Sequence, residues 1–153
     1  MIEARFENAK ALLIAGLGAY YTRQTRSNIP QHWQRLASGL GQIPGRVGLT
    51  TYGVSWNQSR DCEFEYLAGV EVDDVKSLPA YFDHVCIPQG RYAVFAHREH
   101  VASIVETFDA IWNLWLPSSQ FRVAKAPCFE RYDQRFDPQT GTGGFEIWLP
   151  LEA

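Results

Sequence analysis

The residue with the clearest potential for chemistry is Glu130, which lies in the segment FERY at 129–132. Side chains alternate between the two faces of a strand, so Glu130 and Tyr132 share one face and Phe129 takes the other. A carboxylate in the middle of such a strand is costly to bury without a partner. Three arrangements remain open: a polar cleft, a cationic ligand, or a solvated position paired with a nearby arginine.

Aromatic side chains are numerous enough to surround such an acid. The chain has 5 Trp, 7 Tyr and 9 Phe, and a cation over a ring face gains about 0.5–2 kcal/mol. If the last strand pairs beside the FERY strand, we expect Trp148 to wall the same cleft as Glu130. The other rings are explained equally well as core residues. The predicted ligand-binding set is Glu130, Tyr132, Trp148, Trp112, Glu146, Tyr52 and Trp56.

Signals for other chemistries are weak. His97 and His100 are three positions apart at a strand end, so they would not share a face to bind a metal. The glycine-rich run at 141–144 lies in a predicted hairpin, without a following helix to hold a phosphate. The sequence contains no GxSxG, Walker-type or CxxC motif. We therefore predict no metal site and no cofactor.

An internal repeat relates the elements that must position these residues. Phe64-Glu65-Tyr66-Leu67 recurs as Phe145-Glu146-Ile147-Trp148, and the offset is 81 residues (146 − 65). The same offset relates Glu130 to Leu49 (130 − 81), so the acid is not duplicated. Two related units must bury apolar faces against each other, and their seam is a natural place for a pocket.

The predicted elements give each half the order strand-strand-helix-strand-strand. The half-modules span about 1–74 and 81–153 and form a single domain over 1–153. The order predicts an α+β fold in which an antiparallel sheet carries two helices on one side. A pseudo-twofold axis relates the modules, and a cleft lies between them.

Several local signals mark the ends and bends of these elements. Asn28 and Pro30 are suited to the start of the first helix. Ser103 and Glu106 predict a capping box at the start of the second. The glycines at 16 and 18 indicate a bulge or a bend in the second strand.

Composition excludes several classes of protein. The 153-residue chain carries a net charge of −3, so it lacks the basic stripe of a nucleic-acid surface. No apolar run approaches the ~20 residues of a membrane span. Cys62, Cys86 and Cys128 are scattered and odd in number, as expected for reduced thiols in the cytoplasm. We expect neither a nucleic-acid nor a membrane partner.

Four segments of the second half resemble one known family. RYAVF (91–95), IWNLWLP (111–117), APCFERYD (126–133) and FEIWLP (145–150) are similar to the GyrI-like (gyrase-inhibitor-like) effector-binding domain. The resemblance is weaker, but in the same order, over 1–90. Such domains also form the C-terminal part of AraC- and MerR-type multidrug-responsive regulators.

The resemblance implies a fold, a ligand class and a role for the acid. The family pairs two strand-helix-strand-strand modules about a pseudo-twofold axis and binds small molecules, often lipophilic and cationic, between them. The Glu of its Phe-Glu-x-Tyr motif is the ligand-binding acid, and Glu130 occupies that position. The resemblance thus implies a stand-alone protein that binds or sequesters such compounds.

The resemblance also leaves two other functions open. In a hydrolase of electrophilic cyclopropane-type toxins, Glu130 would be the general base and Tyr132 would orient the ligand. In a gyrase-inhibitor-type interaction module, a protein partner such as gyrase or a separate regulator would bind a surface patch. No second acid, base or nucleophile is placed near Glu130 by the sequence, which favours binding over catalysis.

Overall fold

A computed structural model describes residues 2–58 and 63–153, so Cys62 lies outside the described residues. The chain forms one eight-stranded antiparallel sheet with the order β1-β6-β8-β7-β3-β4-β2-β5. The strands of the first half are β1 (Arg5–Ala9), β2 (Leu12–Tyr21), β3 (Arg46–Trp56) and β4 (Phe64–Val72). Those of the second half are β5 (Asp83–Ile87), β6 (Gly90–His97), β7 (Cys128–Tyr132) and β8 (Phe145–Leu151).

The strand order is symmetric about its centre. If each strand of one half is replaced by its equivalent in the other half, the order read from one edge becomes the order read from the other edge, as the predicted pseudo-twofold axis requires. The central neighbours β3 and β7 are equivalent strands of the two halves. The first strand of each half pairs with a strand of the other half: β1 pairs with β6, and β5 pairs with β2. The seam between the modules therefore runs between β3 and β7.

The offset between equivalent positions of the two halves is not constant, so Leu49 is not the equivalent of Glu130 in the first half. Ser55 pairs with Tyr66 on β4. Glu130 pairs with Ile147 on β8, which is 81 positions after Tyr66 (147 − 66). Ser55 is therefore the equivalent of Glu130, at an offset of 75 (130 − 55). A register shift in β3 precedes this pairing, and Leu49 lies within the shifted segment.

The helices follow their predicted places but not their predicted caps. Helix α1 (Ile29–Gly39) has Pro30 in its first turn. Helix α2 (Ile104–Ala110) continues through a π-helical turn (Ile111–Trp115) into the short α3 (Leu116–Ser118). Neither Asn28 nor Ser103 makes a side-chain cap bond. The Ser103 hydroxyl donates instead to the His100 carbonyl, at 2.8 Å, so the predicted capping box is wrong.

Alternation along the strands divides the core between two faces. On the helix face, α1 covers the first module through Leu36, and α2 with its π turn covers the second through Ile111. The opposite face, called the inner face, has its own cluster, which includes Val54, Leu67 and Phe129. Burying each of these large apolar side chains contributes about 1.5–3 kcal/mol.

The sheet curls around the inner face. Strands β1 and β2 are six strand spacings apart in the sheet order, which is ~29 Å in a flat sheet. Yet Ala9 at the end of β1 and Leu12 at the start of β2 are three residues apart, a reach of ~11 Å. The sheet must therefore bend into a partly closed barrel, with the β1–β2 turn near its mouth.

Gly16 accommodates a close approach of strands in this curled sheet. A Cβ atom at Gly16 would lie 1.9 Å from the carbonyl oxygen of Ala68 on β4. The pairing of β2 with β4 is nevertheless continuous from Ile14 to Tyr21, so the expected bulge at Gly16 does not form. No helix in the described part of the chain is long and apolar enough to cross a membrane.

Candidate functional site

Glu130 lies at the seam between the two modules and is buried. It occupies the middle of β7, between Gly53 of β3 and Ile147 of β8, and only 6% of its surface is exposed. The alternation predicted from the sequence is correct, since Glu130 and Tyr132 both face the helices. Of the arrangements left open by the sequence, a solvated strand position is wrong.

Two phenols hold the carboxylate. The hydroxyl of Tyr132 donates to Glu130 Oε1 at 2.7 Å, and that of Tyr66 donates to the same oxygen at 3.1 Å. Tyr66 in turn accepts a hydrogen bond from the indole Nε1 of Trp33, at 3.0 Å. No donor among the described residues bonds the other oxygen, Oε2. One carboxylate oxygen is thus fixed by the protein, and the second is left for another partner.

Gly53 makes room for this arrangement. A Cβ atom at Gly53 would lie 2.2 Å from the Tyr66 hydroxyl and 2.7 Å from Glu130 Oε1. Contacts this short do not occur between real Cβ atoms and their neighbours, so a larger residue would displace the phenol or the carboxylate. The glycine is therefore part of the site, although no local sequence signal marks it.

Burial dominates the electrostatics of the site. Desolvation raises the pKa of Glu130 from 4.5 to about 7, and the hydrogen bonds from Tyr132 and Tyr66 lower it only in part. Burial likewise raises the pKa of both phenols well above 10, and the neighbouring carboxylate adds to the shift. Within residues 2–58 and 63–153, no Lys, Arg or His forms an ion pair with Glu130.

Trp33 of α1 covers the acid on the helix face. Its ring meets the ring of Tyr132 edge-on, with centroids 5.4 Å apart. It packs against the helix-face clusters of both modules and is itself only half-buried. Trp33 therefore closes the seam directly above Glu130 and Tyr66.

A second buried polar pair lies beside this cover. His32, also on α1, is 0% exposed, and its Nδ1 is 2.6 Å from the hydroxyl of Tyr21. Its Nε2 is 2.6 Å from the Leu17 carbonyl oxygen. Burial lowers the pKa of His32, so the ring is neutral near pH 7 and supplies no counter-charge to Glu130. Together these contacts fix α1 to the first module.

Four of the predicted ligand-binding residues lie on the other face of the sheet, so their grouping with Glu130 is wrong. Trp148 pairs with Phe129 rather than with Glu130, and their rings stack with centroids 5.3 Å apart. Because neighbours on one strand face opposite ways, Trp148 cannot wall the cleft that Glu130 faces. The residues misplaced in this way are Trp148, Glu146, Tyr52 and Trp56.

Trp112 is the one remaining member of the predicted set. It lies in the π-helical turn and packs, half-buried, against the helix-face cluster of the second module. It is on the correct face, and no hydrogen bond or ring contact in the described structure joins it to Glu130. The residues brought together around the acid are Tyr132, Tyr66, Trp33 and Gly53, of which only Tyr132 was predicted.

No metal centre accompanies the acid in the described part of the chain, where no three metal-ligating side chains are grouped. His97, one of the two histidines considered and rejected as metal ligands, has other hydrogen-bond partners. His97 Nδ1 is 2.7 Å from the Thr107 hydroxyl, and His97 Nε2 is 2.9 Å from the His100 carbonyl oxygen. The chemistry of the site is therefore that of one carboxylate, two phenols and an indole cover.

Comparison with known proteins places this arrangement in a family. The family model described as the GyrI-like small molecule binding domain matches residues 3–152. The transcriptional regulator BrlR of Pseudomonas aeruginosa is 28% identical over 152 residues, which are 98% of this chain and 56% of BrlR. The chain thus spans about half the length of this curated relative.

Several solved structures share the fold. The structure of SAV2435 bound to tetraphenylphosphonium has a TM-score of 0.76 and 22% identity, and the match covers 99% of this chain and 94% of SAV2435. A putative bacterial transcription regulation protein from Staphylococcus aureus MU50 has a TM-score of 0.73 and 21% identity, with both chains covered completely at 100%. This chain, as its motifs predicted, belongs to the GyrI-like small molecule binding domain family.

Proposed function

We propose that this domain binds lipophilic aromatic cations at the seam between its modules, with Glu130 as the counter-charge. The observation that carries the proposal is a buried carboxylate with two phenol donors and no cationic partner among the described residues. Buried charges in proteins are normally paired or bound to metals. A cationic ligand would supply the missing partner.

The state of the acid without a ligand supports a cation over a neutral compound. With a pKa of about 7, Glu130 is close to half protonated at neutral pH. A cation beside it stabilises the charged form and lowers the pKa again. Binding and ionisation of the acid are therefore linked, and a neutral ligand of the same shape gains nothing from this linkage.

The surrounding rings support an aromatic or otherwise lipophilic ligand. Tyr132, Tyr66 and Trp33 are polarisable, largely apolar surfaces. Their polar atoms already form hydrogen bonds, those of both phenols to Glu130 and that of Trp33 to Tyr66. Because Glu130 is 6% exposed beneath Trp33, a ligand must displace this indole to reach the acid. The binding of tetraphenylphosphonium, a cation with four phenyl groups, by a protein of the same fold is consistent with such a ligand.

A hydrolase is the second candidate, and one observation favours it. A carboxyl group with a pKa of about 7 is well matched to general-base catalysis at neutral pH. Against this, the side chains hydrogen-bonded to Glu130 in the described residues are two phenols, so no second acid, base or nucleophile accompanies it. Turnover of an electrophilic cyclopropane or epoxide would support the hydrolase, whereas stoichiometric protection without turnover supports the binder. No contact in the described residues favours a gyrase-type protein partner.

Calorimetric titration with a matched pair of ligands tests the proposal. Tetraphenylphosphonium is the cation, and triphenylphosphine oxide is a neutral compound with three of the same rings. Two opposite unit charges about 5 Å apart attract by about 3 kcal/mol at an effective dielectric constant of about 20, so Glu130→Gln should weaken binding of the phosphonium by about tenfold or more. Binding of the phosphine oxide should change by less than about twofold.

The control is Glu152→Gln, which removes one negative charge from an exposed position near the end of the chain. It should leave both affinities unchanged, because Glu152 lies away from the seam. Equal losses of the cation and the neutral compound in Glu130→Gln would remove the electrostatic part of the proposal. If Glu130→Gln and Glu152→Gln lose the same affinity for the phosphonium, the loss is an effect of net charge and not of Glu130 in particular.

A further inference from the structure

A pocket lies on the inner face, at the mouth of the curled sheet. It has a volume of about 190 Å³ and lies beside a wider groove of about 510 Å³, with which it shares Arg131 and Trp148. Barrel mouths are preferred places for small-molecule sites. The side chains that define the pocket are Tyr52, Phe129, Trp148, Leu12, Lys10 and Arg131.

The lining of this pocket combines rings with positive charge. Phe129 and Trp148 stack with an interplanar angle of 17°, and Tyr52 meets Phe129 edge-on at 5.8 Å. Lys10 and Arg131 supply two cations, and none of the described side chains lining the pocket is an acid. The composition is the reverse of the Glu130 site, in which a single negative charge lies among rings.

Arg131 is poorly neutralised by the acids around it. Its guanidinium is 3.5 Å from Asp133 and 3.8 Å from Glu146, beyond the 2.7–2.9 Å of a good charge-assisted hydrogen bond. Each acid has a closer partner, since Asp133 is 2.8 Å from Arg135 and Glu146 is 2.7 Å from Arg5. The Arg131 side chain is also 33% exposed. It therefore has donors available for an incoming anion.

The acidic side chains near the pocket do not neutralise the positive charge of Lys10 and Arg131. Glu146 is buried and held by Arg5 and by the indole Nε1 of Trp148, at 3.2 Å. Glu7 lines only the wider groove, where it is 2.8 Å from Arg5. Glu71 also points to the inner face from β4, but it does not line the pocket.

We propose that this pocket binds a small planar aromatic anion, with a carboxylate held by Arg131 and Lys10 and the ring against Trp148. Drug-sized ligands occupy pockets of about 300–1,000 Å³, so the smaller volume here fits a one- or two-ring compound. Arginine is suited to a carboxylate because its planar fork can donate two parallel hydrogen bonds. This site is independent of the proposed cation site, since Glu130 and Arg131 face opposite sides of β7.

Titration calorimetry with naphthalene-2-carboxylate and its neutral amide, naphthalene-2-carboxamide, tests this inference. The natural protein should bind the carboxylate more tightly than the amide, by about tenfold or more. Arg131→Gln should remove this preference. Lys10→Gln should reduce it, and Lys10 is exposed in the β1–β2 turn, so this variant avoids a failure to fold.

The matched control is Arg91→Gln, which removes the same charge from an exposed arginine that lies over the ring of Phe6 at 5.2 Å and does not line the pocket. It should keep the preference for the carboxylate. The proposal is overturned if the natural protein binds neither compound or binds both equally. An equal loss in Arg91→Gln and Arg131→Gln would also overturn it, by assigning the effect to net charge.

Discussion

Replacement of Glu130 by Gln should change how the stability of the protein depends on pH. Glutamine has nearly the shape of a protonated glutamic acid, so the variant keeps the packing and loses the titration. Burial raises the pKa of Glu130 from 4.5 to about 7 in the folded protein. The shift is about 2.5 pKa units, and at 1.36 kcal/mol per unit it corresponds to about 3 kcal/mol.

The sign follows from which state holds the proton. Between pH 4.5 and about 7, the folded protein retains a proton on Glu130 that the unfolded chain has released. The free energy of unfolding therefore falls as the pH rises through this window. The contribution from protonated Glu130 is fully present below about pH 4.5 and lost once the pH has passed about 7. In Glu130→Gln this side chain does not titrate, so the variant does not lose this part of its free energy of unfolding as the pH rises.

Urea unfolding, followed by tryptophan fluorescence at several pH values between about 4 and 8, measures the effect. The free energy of unfolding of Glu130→Gln minus that of the natural protein should increase by about 3 kcal/mol across this range. Tyr132→Phe should extend the loss of stability to higher pH, because it removes a hydrogen bond that lowers the pKa of Glu130. A difference that stays constant within about 0.5 kcal/mol from pH 4 to 8 would refute the assignment of a raised pKa to a buried, unpaired acid.

Three further predictions concern the surroundings of the acid. Gly53→Ala should lower the free energy of unfolding by about 1–3 kcal/mol in urea, because its Cβ would lie 2.2 Å from the Tyr66 hydroxyl; unchanged stability would contradict the close packing. Trp33→Phe removes the indole donor and part of the cover over Glu130. Stopped-flow fluorescence should therefore show faster association of tetraphenylphosphonium with this variant. Slower or equal association would show that Trp33 is not a barrier to the ligand. Cys128 is buried with its pKa raised to about 12, so iodoacetamide should modify exposed Cys86 first, as followed by mass spectrometry; labelling of both at the same rate would place Cys128 at the surface.

The order of the elements and the face that Glu130 takes could be predicted because they depend on local patterns. Alternation in β7 correctly placed Glu130 and Tyr132 on one face. The position of Trp148 required the pairing of β8 with β7 as well. A pairing shifted by one residue exchanges the two faces of a strand, and no local signal indicated that Trp148 lies opposite Phe129.

The cover of the site depends on packing between elements that are distant in sequence. Trp33 and Leu36 are three positions apart on α1, as neighbours on one face of a helix are, and both residues contact the core. Nothing in that spacing shows that Trp33 reaches across the seam to Tyr132. The equivalence of Glu130 with Ser55 was missed for a related reason. The register shift in β3 changes the offset between the halves without a mark in the sequence.

The number of protons released when a cation binds measures the link between binding and the ionisation of Glu130. Titration of tetraphenylphosphonium at pH 7, in two buffers of different ionisation enthalpy, gives this number. With a pKa of about 7, Glu130 should release about half a proton on binding. The release should fall towards zero in Glu130→Gln. Binding without proton release by the natural protein, or an equal release by Glu130→Gln, would contradict the account.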